Sequence, residues 1–278
     1  STYNHPINHL PDNLKILYLP HKFNHPINSL PNSLKHLHFD YYSHFNHPIN
    51  HLPNSLVKLS LSYNFNQPIN SLPKNLKYLI LGHRFNQSIN SLPKNLKYLV
   101  LGNDFNQPIN SLPQSLEVLQ FGKNFNQPID HLPNNLLKIS FNEKSKFNYP
   151  INQLPSNLLF LKLGKNFNQS VDHLPPKITK LMFGRFFNKS IDHLPPNLLY
   201  LHLDLFFDRP INHLPDSILN LDINGMFNQS IDHLPKNIKI LTVGNYFNCY
   251  IDHLPDSIET LQLGLSFNKQ ISRLPPFL

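Results

Sequence analysis

Histidine and aspartate are the residues in this chain best suited to chemistry, and they recur at fixed spacing. Eight of the seventeen histidines stand in a His-Leu-Pro triplet, at positions 9, 51, 131, 173, 193, 213, 233 and 253. Among the last five, Asp172, Asp192, Asp232 and Asp252 directly precede four. The last five histidines lie 20 residues apart. If each falls on a successive strand, with strands roughly 4.8 Å apart, they form a line of imidazoles that could bind a metal or relay protons. A zinc site, however, needs three or four ligands converging on one point, and a line disperses them. Ser29, Ser71, Ser91 and Ser111 hold the same place in other copies, which fits a copied surface position instead. A catalytic centre breaks symmetry, and no nucleophile is confined to one Asp-His pair. Seven of the eight glycines directly follow a Leu-x-Leu-type segment, where they suit a tight exit, and none builds a phosphate-cradling loop. A non-enzymatic protein without metal or cofactor is expected.

The elements that would position these residues are written in the repeat. Phe recurs at 23, 45, 65, 85, 105, 125, 147, 167, 187, 207, 227, 247 and 267, with Tyr3 in the same place at the start. The step is 20 residues except for two steps of 22, and a fixed period of this size marks a solenoid or similar array. Each copy reads F-N-x-P-I-x-x-L-P-x-x-L-x-x-L-x-L-G-x-x. The alternating apolar residues of Leu-x-x-Leu-x-Leu predict a short strand with one buried face. Two prolines per typical copy exclude a helix on the way back and favour extended backbone. Stacked coils would then form one parallel sheet. Leu79, Leu99, Leu119 and their equivalents would make one buried column, and Phe125 and its equivalents a second.

Asn follows Phe in every copy but one, where Asp208 replaces it. An amide there can satisfy the backbone of adjacent coils, and Arg209 could compensate for the donor that Asp208 lacks. The chain reads as a single repeat domain over 1–278.

Composition narrows the class further. The 26 prolines are periodic and lie beside periodic Leu and Phe, which excludes disorder. Cys249 is the sole cysteine, so no intrachain disulfide can form. No apolar run is long enough to span a bilayer, and no signal peptide stands out. Four copies read Asn-x-Ser, beginning at Asn86, Asn168, Asn188 and Asn228. Burial of these asparagines would favour an intracellular, cytoplasmic location. The net charge of +8 comes from basic residues scattered over many repeat positions, which makes nucleic-acid binding the weakest class.

The Leu-x-x-Leu-x-Leu core resembles the leucine-rich repeat, and Ile-x-x-Leu-Pro resembles its twenty-residue bacterial type. The Phe-Asn-x-Pro-Ile element resembles the FNIP repeat of dictyostelid amoebae and giant viruses of amoebae. This resemblance implies a right-handed solenoid of about thirteen coils. Because FNIP proteins often carry an F-box, it also implies a client-recognition role in a ubiquitin-ligase adaptor. The alternative is a structural protein that self-associates, as a homo-oligomer, through ends that show no polar cap.

The positions where copies disagree are the candidates for recognition. Between the buried leucines, side chains should point to a concave face. Tyr78, Ile80, Tyr98, Val100 and Val118 make an aromatic-aliphatic patch suited to a binding hot spot. Phe160, Tyr200 and His202 vary in the same columns. Lys162, Lys180 and Arg185 would form a basic strip beside Asp222 and Asp204. The two longer copies add their extra residues after the strand, placing Tyr41, Tyr42 and Lys144 on loops that often border a binding face.

Overall fold

A computed structural model describes residues 3–278. The chain forms two compact units, one ending at Asn142 and one running Glu143–Leu278. In the first unit the strands are β1 (Ile16–Leu19), β2 (His36–Phe39), β3 (Lys58–Ser60), β4 (Tyr78–Ile80), β5 (Tyr98–Val100), β6 (Val118–Phe121) and β7 (Lys138–Phe141). In the second they are β8 (Phe160–Lys162), β9 (Lys180–Met182), β10 (Tyr200–Leu203), β11 (Asn220–Ile223), β12 (Ile240–Val243) and β13 (Thr260–Gln262). Within each unit the strands pair in parallel and in sequence order, each residue opposite its equivalent one copy later, as with Leu79 beside Leu99. No helix occurs among the described residues. The fold is the expected solenoid with one strand per coil.

Two buried columns hold each unit together. The central strand residue points inward, and Leu59, Leu79, Leu99 and Leu119 are fully buried. On the return side every spine Phe from Phe23 to Phe247 is fully buried. Within units, consecutive spine rings lie 6.1–6.3 Å apart in stacked geometry. A coil of 20 residues could not bury these side chains alone. Stacking against neighbours buries each, at roughly 1.5–3 kcal/mol per large apolar side chain.

Two tight turns bend each coil. The Pro carbonyl of Pro-x-x-Leu accepts from the Leu amide, as in Leu76 N to Pro73 O at 3.1 Å, and Phe85 N donates to Gly82 O at 3.2 Å. Glycine after the strand has a steric cause. A Cβ on Gly82 would sit 1.8 Å from the carbonyl oxygen of Ser62 in the preceding coil.

Polar ladders satisfy the irregular return. The backbone N–H of each spine Asn donates to Oδ1 of the Asn one coil earlier, at 2.8–2.9 Å from Asn66 through Asn126. The ladder continues from Asn168 to Asn268 at 2.8–3.2 Å. What the ladder needs from the side chain is therefore an acceptor. Asp208 supplies one to Asn228 N at 3.0 Å, so its missing amide breaks no rung. Arg209 instead donates through Nε to Asn188 O at 3.1 Å. That carbonyl contact is the one Gln127 makes to Asn106 and Gln169 makes to Asn148. A second ladder runs through the residue before the first strand-side Leu. Ser33, Ser55 and Ser115 donate to the carbonyls of Leu14, Leu34 and Leu96 at 2.6–2.7 Å, whereas the amides of Asn75 and Asn135 at the same repeat position donate to Asn54 O and Gln114 O at 2.8–2.9 Å.

One expectation fails. Asn86, Asn168 and Asn188 are half-buried and Asn228 is exposed, because the ladder engages only Oδ1 while the return edge stays open to solvent. Burial does not shield these four asparagines.

The two-residue insertions are anchored by serines. Ser43 is fully buried; its Oγ donates to Phe23 O at 3.1 Å and accepts from Phe45 N at 3.2 Å. Ser145 is likewise buried and accepts from Phe147 N at 3.1 Å. Each insertion bulges outward and returns to the spine on one hydroxyl.

Candidate functional site

On the open face of the first unit, the flanking residues of each strand alternate with the buried Leu. Register places Tyr78 beside Tyr98 and Tyr98 beside Val118, with Ile80 beside Val100 and Val100 beside Gln120. The structure thus brings Tyr78, Ile80, Tyr98, Val100 and Val118 into one patch on three adjacent strands. The two tyrosine rings lie 6.1 Å apart, tilted by 41°. Gln120 Nε2 donates to the Tyr98 hydroxyl at 3.0 Å and orients that ring, while Tyr78 remains 42% exposed. Lys58 and Ser60 border the patch on β3, and Lys138 and Ser140 on β7. An apolar centre with a polar rim is the anatomy of a protein interface. Alongside, Lys97 Nζ bonds Glu117 Oε1 at 2.6 Å, and this bond raises the Lys97 pKa.

The open face of the second unit is chemically different. Lys180 lies between Phe160 and Tyr200 in register, its Nζ 6.0 Å and 4.4 Å from their ring centroids. Two aromatic faces thus hold one cation in place. His202 Nδ1 lies 2.8 Å from Asp222 Oδ2, and burial together with Asp222 raises the Tyr200 pKa. Lys162 is bonded to Glu143 at 3.2 Å. Lys162, Glu143, Met182, His202 and Asp204 help line a cavity of about 290 Å³. Arg185 is not part of this group. It follows β9, and its guanidinium lies 5.7 Å from the Phe206 ring centroid.

Both insertion candidates are surface residues. Tyr41 and Tyr42 are exposed, with ring centroids 5.0 Å apart, and Tyr41 meets Tyr63 at 5.6 Å. Tyr63 in turn stacks on His83 at 4.3 Å. Lys144 is exposed.

The Asp-His array resolves into a cross-coil ladder. Each paired Asp reaches the His of the following coil, not its own neighbour. His193 Nδ1 lies 3.5 Å from Asp172, His213 3.2 Å from Asp192, and His253 3.3 Å from Asp232. Ser170, Ser190 and Ser230 donate to the second oxygen of the same carboxylates at 2.6–2.7 Å. In a serine–histidine arrangement the serine gives its proton to the imidazole; here the hydroxyls of Ser170, Ser190 and Ser230 donate to aspartate instead. No cluster of metal-ligand type occurs among the described residues.

The ladder makes a pH prediction. The Ser190 hydroxyl, then His213, hold the Asp192 pKa below the ordinary carboxylate value, and Ser230, then His253, do the same for Asp232. The unfolded chain binds the proton more readily, so this stability is present above the ordinary carboxylate pKa. It is lost as pH falls through the folded values. Asp192→Asn should lower stability at neutral pH and flatten the acid limb of an unfolding-versus-pH curve below about pH 4, so that variant and wild type converge in acid. An unaltered acid limb contradicts the ladder's contribution.

One candidate was missed in the sequence. The residue immediately before each spine Phe is Phe186, Phe206, Met226 and Tyr246 in four successive coils, all exposed. No single residue type runs through the four, and the corresponding first-unit residues, Asn64, Arg84, Asp104 and Asn124, are polar. Only the coil register could have revealed the stripe.

Parallel strands one per coil, an inner Leu column and ladders along an irregular return define a leucine-rich-repeat-type solenoid. The FNIP Repeat model matches residues 3–43, 45–84, 69–104, 85–111, 105–144, 147–186 and 227–266, and the chain belongs to the FNIP-repeat family. Among solved structures it is similar to CroV588, a giant-virus protein described as a novel circular leucine-rich-repeat protein, with 36% identity and a TM-score of 0.85. That match covers 96% of this chain and 46% of the other, so the chain spans about half the length of that relative. YopM from Yersinia enterocolitica WA-314 also matches, at 21% identity and a TM-score of 0.49, over 94% of this chain and 71% of its own. Comparison with curated protein sequences finds no match.

Proposed function

We propose that the chain is a non-enzymatic platform that recognises protein through the open faces of its sheets, as the client-binding part of an F-box-type ubiquitin-ligase adaptor in the cytoplasm. One contrast carries this reading. The buried columns repeat almost without change, whereas the open-face columns differ from strand to strand and in unit 1 assemble the Tyr78–Tyr98 patch. Tyrosines present large, rigid contact area, and truncating such anchors often costs about 2 kcal/mol or more of binding. The Lys180 bracket suits a carboxylate-bearing segment of the client.

The test replaces Tyr78 and Tyr98 together with Ala and quantifies proteins captured by wild type and variant. Both side chains lie outside the core, so the melting curve should be nearly unchanged while the principal client is lost. The paired change Leu79→Ala with Leu99→Ala removes fully buried side chains and should instead melt the array locally, at roughly 2–5 kcal/mol for each Leu. Full client capture by the tyrosine variant would place recognition elsewhere.

A further inference from the structure

The stripe that precedes the spine in the second unit is a separate surface from the open face. Each member is fixed by backbone pairing to the coil before it. Phe186 N donates to Lys165 O at 3.0 Å, Phe206 N to Arg185 O at 3.1 Å, Met226 N to Leu205 O at 2.8 Å and Tyr246 N to Gly225 O at 3.3 Å. The rings of Phe186 and Phe206 stack with centroids 5.3 Å apart. Gly225 adopts φ of 71° beneath this edge, and a Cβ there would lie 2.4 Å from Leu205 Cα. The stripe therefore sits on rigid backbone. Asn166 and Ser266 hold the same place in the coils on either side.

Two cations accompany the aromatic end. Lys165 Nζ lies 5.1 Å from the Phe186 ring centroid and the Arg185 guanidinium 5.7 Å from that of Phe206. Neither is ion-paired to a carboxylate among the described residues. Asp204, two residues before Phe206, accepts from Leu205 N at 2.7 Å. The surface thus offers apolar faces flanked by cations that have π-contacts and no ion pair, which is complementary to apolar side chains interspersed with carboxylates.

Size narrows the occupant. The four side chains are 37–58% exposed, which at about 150–250 Å² per large side chain leaves on the order of 300 Å² of apolar surface. That is within the range of functional surface patches but well short of the roughly 800 Å² per partner of a standard globular interface. A short segment matches it; the face of a folded domain does not.

We propose that Phe186, Phe206, Met226 and Tyr246, with Lys165 and Arg185, form a docking site for a short, extended acidic peptide segment carrying large apolar side chains. The site is independent of the Tyr78–Tyr98 patch and stands whether or not that patch binds a client.

The probe is a fluorescein-labelled peptide of about twelve residues in which Phe and Leu alternate with Glu, read by fluorescence anisotropy. Wild type should bind it at least tenfold more tightly than the same peptide with Lys for Glu. Phe186→Ser with Phe206→Ser should weaken binding at least tenfold, and so should Lys165→Glu with Arg185→Glu. Tyr78→Ala with Tyr98→Ala should leave it unchanged, which separates this site from the proposed client face. If the double Phe variant fails to fold, Met226→Ser with Tyr246→Ser carries the same expectation. Absence of binding to wild type, equal binding of the Glu and Lys peptides, or binding indifferent to all stripe substitutions overturns the proposal. A sedimentation dimer dispersed by the Phe substitutions overturns it in favour of a second copy. Phe-dependent binding to phosphatidylserine vesicles overturns it in favour of a lipid surface.

Discussion

Phe105→Ala should cost about 3–5 kcal/mol of stability, the loss typical of emptying a buried aromatic site. Phe105 is fully buried, with Phe85 and Phe125 stacked on its two sides at 6.2 Å. Its removal leaves facing holes in two coil interfaces at once. The neighbouring coils cannot collapse into the gap, because the ladder bonds of Asn106 to Asn86 and of Asn126 to Asn106, at 2.9 and 2.8 Å, hold the coil spacing. Chemical denaturation measures the loss directly. A change under about 1 kcal/mol would mean that the spine does not bear the stacking energy assigned to it.

Gly102→Ala should be nearly as damaging, at about 3 kcal/mol, although it adds a single methyl group. A Cβ at 102 would meet Gly82 O at 1.9 Å and His83 O at 3.0 Å. Both are backbone atoms of the preceding coil, so no side-chain rotamer can relieve the overlap. Asp204 and Asn224 hold the equivalent place in the second unit, and Ser62 and Asn142 in other coils of the first. Gly102 lies between the unaltered Gly82 and Gly122. The melting temperature of Gly102→Ala reports the effect, and a shift under about 2 °C would show that the coils slide apart freely.

The parts of this fold that read clearly in the sequence are those in which one residue type recurs. Phe at a fixed step and Leu-x-x-Leu-x-Leu specify the spine, the strands and their parallel register, because a 20-residue coil can bury those side chains only against its neighbours. Asn after Phe announced a ladder, but its working atom was legible only in the geometry. Asp208 serves as well as Asn because Oδ1 alone carries the rung. The second ladder was hidden because Ser33 and Asn75 hold one repeat position but are different side chains that reach different carbonyls of the preceding coil, Leu14 O and Asn54 O. Likewise, the Asp192–His213 pairing spans two copies, whereas in the sequence Asp192 stands beside His193. For recognition, the open-face patch follows directly from strand alternation. Arg185 was assigned to the wrong surface because it lies just past β9, where the chain leaves the sheet and side chains turn to the edge occupied by Phe186 and Phe206.

The central claim is that the variable open face recognises and the uniform columns only build. Photo-crosslinking tests it most directly, with benzoylphenylalanine placed at Tyr98 in the patch, at Tyr78 beside it, and at the exposed Lys74 in the turn before the strand. The account predicts that one client protein is trapped from positions 78 and 98 and not from 74. Equal trapping from position 74, or none from 78 and 98 while the client still co-purifies, would contradict it.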